Sequence, residues 1–287
     1  MTKKLFTRKT KIMNDKMKNG LLWVLAAVIT IGLVIYQRST GPTYPVRGEV
    51  VIGNETVSYR LIRSFSGEEN AGIIIPVNDK SITGKITFKR YKSYDDWLTV
   101  EMTRTGNELI ALLPNQPPAG KVIYNVSLFK DGTEYQLTDE PVIIRYTGEV
   151  PRPILIPHIF FMFFSILFGL RAGIEAVLNR KDIRYFAGVT TVFIFIGGLI
   201  LGPIVQKYAF DAFWTGWPFV HDLTDNKTIV MFIFLLIAWW RLKKKPEKRI
   251  WVYIAMLVMI AVYIIPHSEM GTEIDFREQE AKTESLK

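Results

Sequence analysis

The chain of 287 residues contains only three histidines, and each has a neighbour that suits a polar site. His158 and His267 both follow a proline, and His221 precedes Asp222. Imidazole and carboxylate side chains together bind divalent transition metals or transfer protons. The sequence therefore predicts a polar site that could bind Zn, Mn, Fe or Cu. Its candidate metal ligands are His158, His221, Asp222, Asp225, His267 and Glu273.

The spacing of these residues leaves three interpretations open. They form no compact ligand motif such as H-x-x-x-H, so a metal site would have to be assembled from distant stretches of chain. A network of protonatable side chains without a metal is the second interpretation, and incidental placement at a membrane surface is the third. On a helix, His221 and Asp225 would share one face, whereas Asp222 or Thr224 could cap the start of that helix.

The amino-acid composition removes several kinds of chemistry. The chain has no cysteine, which excludes disulfides, iron–sulfur clusters, covalently attached haem and thiolate metal ligands. It also lacks a glycine-rich nucleotide loop and the H-E-x-x-H and G-x-S-x-G motifs. No catalytic residue and no organic cofactor is therefore assigned from the sequence.

Five apolar segments carry almost no charge and are long enough, or nearly so, to cross a membrane as helices. They are Leu21–Tyr36, Ile154–Leu170, Phe186–Val205, Ile229–Trp240 and Ile250–Ile265. The fourth has only 12 residues, so a helix of spanning length would have to begin near His221. The sequence predicts a polytopic membrane protein in contact with the lipid bilayer.

The distribution of lysine and arginine predicts the orientation. These residues are concentrated before the first apolar segment, between the second and third, and between the fourth and fifth. By the positive-inside rule, the N-terminus is cytoplasmic, whereas residues 40–150, the loop 206–227 and the C-terminus are extracytoplasmic. This topology accounts for the net charge of +9 without a nucleic-acid partner. It also brings all three histidines to one surface of a cytoplasmic (inner) membrane.

The first apolar segment follows a basic stretch but has no small-x-small cleavage site, so we interpret it as a retained signal anchor. An extracytoplasmic domain without disulfides favours a bacterial envelope. The predicted division of the chain is a basic cytoplasmic N-terminus (1–19), transmembrane helix 1 (20–37), an extracytoplasmic β-sandwich (44–148), a four-helix membrane domain (153–266, with helices at about 154–177, 186–206, 222–241 and 250–266) and an acidic extracytoplasmic tail (267–287).

The segment between the first two apolar segments reads as short strands rich in β-branched and aromatic residues, punctuated by turn signals. The predicted strands are Val46–Ile52, Val57–Arg63, Ala71–Val77, Gly84–Tyr91, Leu98–Arg104, Glu108–Leu113, Val122–Leu128, Tyr135–Leu137 and Val142–Tyr146. Eight or nine strands in about 100 residues are typical of a sandwich of the immunoglobulin or fibronectin III type. The predicted fold class is therefore an α+β membrane protein, with five transmembrane helices and an inserted all-β sandwich.

One segment of this domain, Tyr91–Trp97, contains three aromatic residues and two aspartates. It could form a platform for a sugar or a peptide. Burial of aromatic area is the commoner use of such residues, so we expect Trp97 to fill the core of the sandwich.

Two pairs in the membrane segments also have an expected role. Arg171 and Glu175 lie four residues apart near the cytoplasmic end of the second helix. They could pair with each other or with a neighbouring helix, but we expect the arginine to snorkel to the membrane surface. Gly198 and Gly202 place small residues four apart in the third helix, which predicts close packing against a neighbouring helix and a kink.

These expectations point to an accessory, sensory or assembly component of an envelope complex. Its β-sandwich, residues 44–148, would recognise an envelope protein partner, and its His, Asp and Glu residues would form a polar site at the outer leaflet. The alternative from a different class is a membrane-bound metal-dependent or redox enzyme that uses the same site.

Overall fold

The computed structural model describes residues 2–219, 222–266 and 272–285, and it omits the side chains of residues 2–14, 283 and 284. The described residues divide into two compact units. The helical unit comprises residues from the ranges 1–40, 151–205 and 214–270. The β unit comprises residues from the ranges 41–150, 206–213 and 271–287.

Six helices occur in the described ranges: α1 (Thr2–Thr40), α2 (Arg152–Val177), α3 (Ile183–Phe210), α4 (Leu223–Lys244), α5 (Ile250–Ile264) and α6 (Phe276–Ser285). Among the described residues, four segments combine the length and the apolar composition needed to cross a membrane: Asp15–Thr40, Arg152–Val177, Ile183–Phe210 and Leu223–Lys244. These four indicate a multi-pass membrane protein in contact with lipid. Helix α5 is equally apolar but has only 15 residues.

Helix α3 changes its geometry in the middle. Residues Phe195–Leu201 form a π-helical turn between two α-helical parts. Gly198 lies in this turn, and a Cβ atom at that position would come within 2.7 Å of Thr228 Cγ2 on α4. The predicted close helix contact at Gly198 is therefore present, and it depends on the absence of a side chain there.

The prediction that Arg171 snorkels to the surface is wrong. Its side chain is 1% exposed and forms an ion pair with Glu175, which is fully buried, at 2.6 Å. The guanidinium also donates to Asn19 Oδ1 at 2.5 Å and lies over the rings of Trp23 and Phe186. Because these partners come from α1, α2 and α3, the arginine is stabilised inside the bundle and gains nothing from reaching the surface.

The β unit contains eleven short strands. They are β1 (Val46–Ile52), β2 (Glu55–Leu61), β3 (Ser64–Ser66), β4 (Ala71–Pro76), β5 (Thr83–Arg90), β6 (Leu98–Glu101), β7 (Thr103–Thr105), β8 (Glu108–Leu113), β9 (Lys121–Lys130), β10 (Thr133–Gln136) and β11 (Val142–Thr147). The largest sheet has the order β3-β11-β9-β5-β6, with β10 paired to β9. A second sheet has the order β4-β8-β7, and β1 pairs with β2 as a hairpin.

All three sheets bury one face in a single core. The strand β9 shows the pattern, since its buried residues Val122, Tyr124, Val126 and Leu128 alternate with half-buried ones. The hydroxyl of Tyr124 donates to the Ile62 carbonyl oxygen at 2.8 Å, which satisfies the one polar atom of this buried side chain. Burial raises the pKa of Tyr124, so the phenol stays neutral.

The segment predicted as one strand, Leu98–Arg104, is divided between two sheets. Strand β6 pairs with β5, and strand β7 pairs with β8. Between them, Met102 is buried, and its N–H donates to the Gly84 carbonyl oxygen at 2.8 Å. The side chain that fills the core at this crossing is Met102 and not Trp97, which is 42% exposed. The expectation that Trp97 fills the core is therefore wrong.

Candidate functional site: a polar cluster at the start of helix α4

The start of helix α4 carries buried polar side chains and the half-buried Asn226, which together we call the polar cluster. Its members are Thr215, Asp222, Asp225, Asn226 and Lys227. Asp222 caps the helix, because its Oδ1 atom accepts a hydrogen bond from the Thr224 N–H at 2.7 Å. This bond satisfies one of the backbone donors that every helix start leaves open. The capping role expected for Asp222 is thus present.

Thr215 connects the two aspartates. Its N–H donates to Asp225 Oδ2 at 2.7 Å, and the Asp222 N–H donates to the Thr215 carbonyl oxygen at 2.9 Å. The Thr215 hydroxyl oxygen lies 3.1 Å from Asp222 Oδ2 and 3.2 Å from Asp225 Oδ2. A hydroxyl has a single hydrogen, so it donates to one of these carboxylates at a time. The two carboxylates therefore share one donor in a place that excludes most water.

The loop before the helix is fitted to this arrangement. The Trp217 N–H donates to Asn226 Oδ1 at 2.7 Å. A Cβ atom on Gly216 would lie 2.7 Å from Asp225 Cβ and 2.9 Å from Asn226 Oδ1. Only glycine allows the loop to approach the helix this closely. Loop residues 214–217 and the first turn of α4 thus form one packed substructure.

Lys227 ties the cluster to the end of α5. Its ammonium donates to the carbonyl oxygens of Ile265 at 3.0 Å and Pro266 at 3.2 Å. These carbonyls lie beyond the last helical residue of α5, where backbone acceptors need an external donor. A buried ammonium and two buried carboxylates within six residues are costly to place beside apolar helices. A cluster of this cost is the strongest candidate for function in the helical unit.

His158 of helix α2 contacts helix α3. Its Nδ1 atom lies 2.9 Å from the carbonyl oxygen of Gly197, in the π-helical turn of α3. The same carbonyl accepts from the Gly202 N–H. A neutral imidazole donates through one nitrogen and accepts through the other, so this contact makes Nδ1 the donor and leaves Nε2 as an acceptor.

Glu273 belongs to the β unit. Its carboxylate lies between the ammonium groups of Lys92 and Lys121. Burial acts to raise the pKa of Glu273, but the hydrogen bonds from Lys121 and Lys92 outweigh it and hold that pKa below the usual value. The carboxylate is therefore ionised and pairs with cations.

Of the six predicted metal ligands, Asp222 and Asp225 are brought together by the structure. His221 and His267 lie outside the described residues. Within the described ranges, no group of three or more His, Asp or Glu side chains is placed to hold a metal ion. The six-residue metal site stays a prediction.

Two residues of the polar cluster, Thr215 and Lys227, were not identified from the sequence, and neither was the adjoining Gly216. Thr215 and Gly216 belong to an aromatic stretch whose composition indicates only an interfacial loop. Lys227 carried the clearer signal, because a lysine two residues before the apolar run Ile229–Trp240 must find acceptors when the helix extends past it.

Neither the known protein families nor the curated proteins contain a match to this chain. Among solved structures, one described as "Crystal structure of Br derivative BhCBM56" is similar over 34% of this chain and 97% of its own chain. The sequence identity is 15% and the TM-score is 0.25. A TM-score of this size decides neither the fold nor the function of the chain.

Proposed function

We propose that this protein is a sensory or accessory component of an envelope complex in the bacterial cytoplasmic membrane. In this proposal the N-terminus is cytoplasmic, held by a signal anchor, and α5 completes a set of five membrane spans. The β unit lies outside and recognises an envelope protein, and the polar cluster responds to that recognition.

The strand order supports an immunoglobulin or fibronectin III type of β unit. The sheet β3-β11-β9-β5-β6 and the sheet β4-β8-β7 share one core, and the short strand β3 runs parallel to β11 whereas the other pairs are antiparallel. Two mainly antiparallel sheets around a shared core are the defining feature of this architecture. Such sandwiches serve many functions, so the role of the β unit is argued from its surface and its connections.

The observation that carries the proposal is the path of the chain between the β unit and the polar cluster. The Gly148 N–H donates to the Ala209 carbonyl oxygen at 3.0 Å, and the Arg145 guanidinium lies over the ring of Phe210. Thr215, the shared donor of the two aspartates, follows Phe210 by five residues. A shift of β11 would thus be passed through a short stretch of chain to Thr215.

A second path reaches the other side of the cluster. The Ile274 N–H donates to the Ala119 carbonyl oxygen within the β unit at 3.2 Å. Pro266, whose carbonyl oxygen accepts from Lys227, precedes Ile274 by eight residues. Both partners of the cluster, the hydroxyl donor and the carbonyl acceptor, are therefore covalently close to segments held by the β unit.

The surface around strand β6 is the part of the β unit that we assign to the envelope partner. Strand β6 is the edge of its sheet, and all four of its residues are exposed, with Leu98 and Val100 among them. Beside it, Tyr94 is 74% exposed and Trp97 is 42% exposed. An edge strand with exposed apolar side chains is a template for an added strand, and peptide recognition by strand addition uses such edges.

The test combines co-purification with a reporter at the cluster. The chain has no cysteine, so Trp217→Cys gives one labelling site on the exposed loop for an environment-sensitive fluorophore. Leu257→Cys, exposed on α5, is the matched control. We expect a photo-crosslinker at Leu98 to capture one defined envelope protein. That protein should change the emission at position 217, but not at 257, and Thr215→Val should abolish the change. A partner that leaves position 217 unchanged contradicts the sensory role.

The second candidate function is a metal-dependent or redox enzyme. The observation that favours it is the convergence of Asp222 Oδ2 and Asp225 Oδ2 on one hydroxyl, since paired carboxylates serve both metal binding and proton transfer. Metal analysis of the purified protein distinguishes the two candidates. Stoichiometric Zn, Mn, Fe or Cu that is lost in Asp222→Ala and in His267→Ala would favour the enzyme, whereas a metal-free protein with a bound envelope partner supports the sensory component.

A further inference from the structure

The β unit holds residues 272–285, which we call the C-terminal segment, by contacts that resemble those of a bound peptide. Two backbone hydrogen bonds fix its course: Ile274 N–H to the Ala119 carbonyl oxygen at 3.2 Å, and Arg277 N–H to the Lys92 carbonyl oxygen at 3.1 Å. The segment forms no strand, and its helix α6 has ten residues. A polar helix of that length is marginal in isolation, so the β unit supplies its order.

Charge pairs fix the segment at both ends of this contact. Glu273 lies between the ammonium groups of Lys92 and Lys121. Seven residues later, Glu280 Oε1 lies 2.7 Å from Arg90 Nη2. We call Arg90, Lys92 and Lys121 the basic surface. These contacts are charge-assisted hydrogen bonds, which are shorter and stronger than neutral ones.

An aromatic side chain lies between the two charge pairs. Phe276 is buried, and the Arg90 guanidinium lies 4.7 Å from its ring centre. A guanidinium placed over the face of an aromatic ring is attracted to it by a cation–π interaction. Phe276 is not part of the hydrophobic core of the β unit, so it contributes to holding the segment rather than to the folding of the sheets.

Arg90 of the basic surface also pairs with Asp95 at 2.6 Å, whereas Lys92 and Lys121 pair with Glu273 of the C-terminal segment. Burial lowers the pKa of Lys121, and the hydrogen bond that its ammonium donates to Glu273 opposes that change. Only 14% of the Lys121 side chain is exposed. Without a carboxylate, this partly buried ammonium would lose hydration and keep only the Tyr91 ring as a partner. The surface is therefore built for an acidic ligand.

We propose that the basic surface is a binding site for acidic peptide segments, and that the C-terminal segment is its resident, displaceable occupant. The ligand is defined by a glutamate that reaches Lys92 and Lys121, an aromatic residue three positions later, and a second glutamate four positions after that. An acidic segment of a partner protein with this spacing would replace the resident segment. The inference goes beyond the proposed function, since it stands whether or not the polar cluster responds.

The binding test uses the chain shortened after residue 271, in detergent, with a fluorescent synthetic peptide of residues 272–285 as the probe. We expect saturable binding, and binding at least tenfold weaker to the full-length chain because its site is occupied. Glu273→Gln and Phe276→Ala in the peptide should each weaken binding at least fivefold. In the shortened chain, Lys121→Gln should do the same. Lys85→Gln, which alters an exposed pair with Glu101, is the matched control and should leave affinity unchanged.

Hydrogen exchange on the full-length chain tests displacement and does not depend on the shortened chain folding. Excess unlabelled peptide should accelerate exchange of the amides of Ile274 and Arg277, and a peptide of the same composition in scrambled order should not. The proposal would be overturned by a folded shortened chain that does not bind the peptide, or by exchange in the full-length chain that excess peptide leaves unchanged. Equal effects of the scrambled peptide would also overturn it, because the contact would then be nonspecific charge attraction.

Discussion

The buried ion pair of helix α2 allows a stability measurement with an internal control. The pair Arg171–Glu175 has an N–O distance of 2.6 Å and side chains that are 1% and 0% exposed. The pair Lys207–Asp211, at the end of α3, has the same distance and the same spacing of four residues, but its side chains are 41% and 76% exposed. The two pairs thus differ mainly in burial and in their surroundings.

The perturbation is Glu175→Gln, which removes the negative charge and keeps the shape. Breaking a buried pair by removing one partner costs about 3–5 kcal/mol, because the remaining charge is left without compensation. Arg171 keeps Asn19 and the two aromatic rings, and glutamine still offers one acceptor. We therefore expect the lower end, about 3 kcal/mol, which is about a hundredfold in the unfolding equilibrium. Asp211→Asn should cost at most about 0.2–1 kcal/mol, as exposed ion pairs do.

The assay is denaturation of the detergent-solubilised protein, followed by tryptophan fluorescence, with both single variants under identical conditions. The double variant Arg171→Met, Glu175→Leu should recover most of the loss, since apolar residues of similar volume often replace a buried pair at little cost. If Glu175→Gln and Asp211→Asn lose the same stability within error, burial does not determine the strength of this pair and the reasoning is refuted.

Two further expectations concern the β unit. Gly84→Val should destabilise the β unit by about 1–3 kcal/mol by overpacking, since a Cβ atom at this position would lie 2.8 Å from Met102 Sδ. Gly72→Val is the control and should change the denaturation midpoint little, because a Cβ atom there would lie 3.9 Å from its nearest neighbour, Leu112 Cδ2. The C-terminal segment should lose protection from hydrogen exchange in acid. In the folded protein the pKa of Glu273 lies below its usual value, and hydrogen bonds with Arg277 lower the pKa of Asp275 to about 2. The contribution of these two carboxylates to stability is therefore complete above about pH 4.5 and falls as the pH drops toward 2. Hydrogen exchange of residues 272–282, corrected for the intrinsic rate at each pH, measures this loss, and unchanged protection at pH 2.5 would contradict it.

The strands could be predicted because alternation and turn residues are local. The predicted strand Val122–Leu128 lies within β9, and the predicted Glu108–Leu113 is β8 itself. The division of Leu98–Arg104 at Met102 could not be predicted from the sequence, since a strand that passes from one sheet to another keeps the same alternation of side chains. Strand β3 was missed because three residues are too few to show a period.

The candidate site could be predicted only where its signal was local. Capping by Asp222 follows from its position before an apolar helix. The bond from Thr215 to Asp225 joins a loop to a helix, and nothing in the spacing of the chain specifies that approach. The pairing of Glu273 with Lys92 and Lys121 joins residues more than 150 positions apart, which composition cannot indicate. Glu273 was predicted to be a metal ligand because a carboxylate can bind either a metal ion or an ammonium group, and the sequence does not show which partner is near.

The β unit is built from three separate stretches of chain, and this determines which variants can test its role. An inserted domain needs two connections, one entering and one leaving. Here the chain passes between the two units five times, after residues 40, 150, 205, 213 and 270, because two further stretches of chain belong to the β unit. Removing residues 41–150 would therefore also release residues 206–213 and 272–285 from their backbone partners at Gly148 and Ala119. Loss of function in such a deletion would report on the polar cluster as much as on recognition. Point substitutions on β6, which leave both stretches bound, separate the two roles.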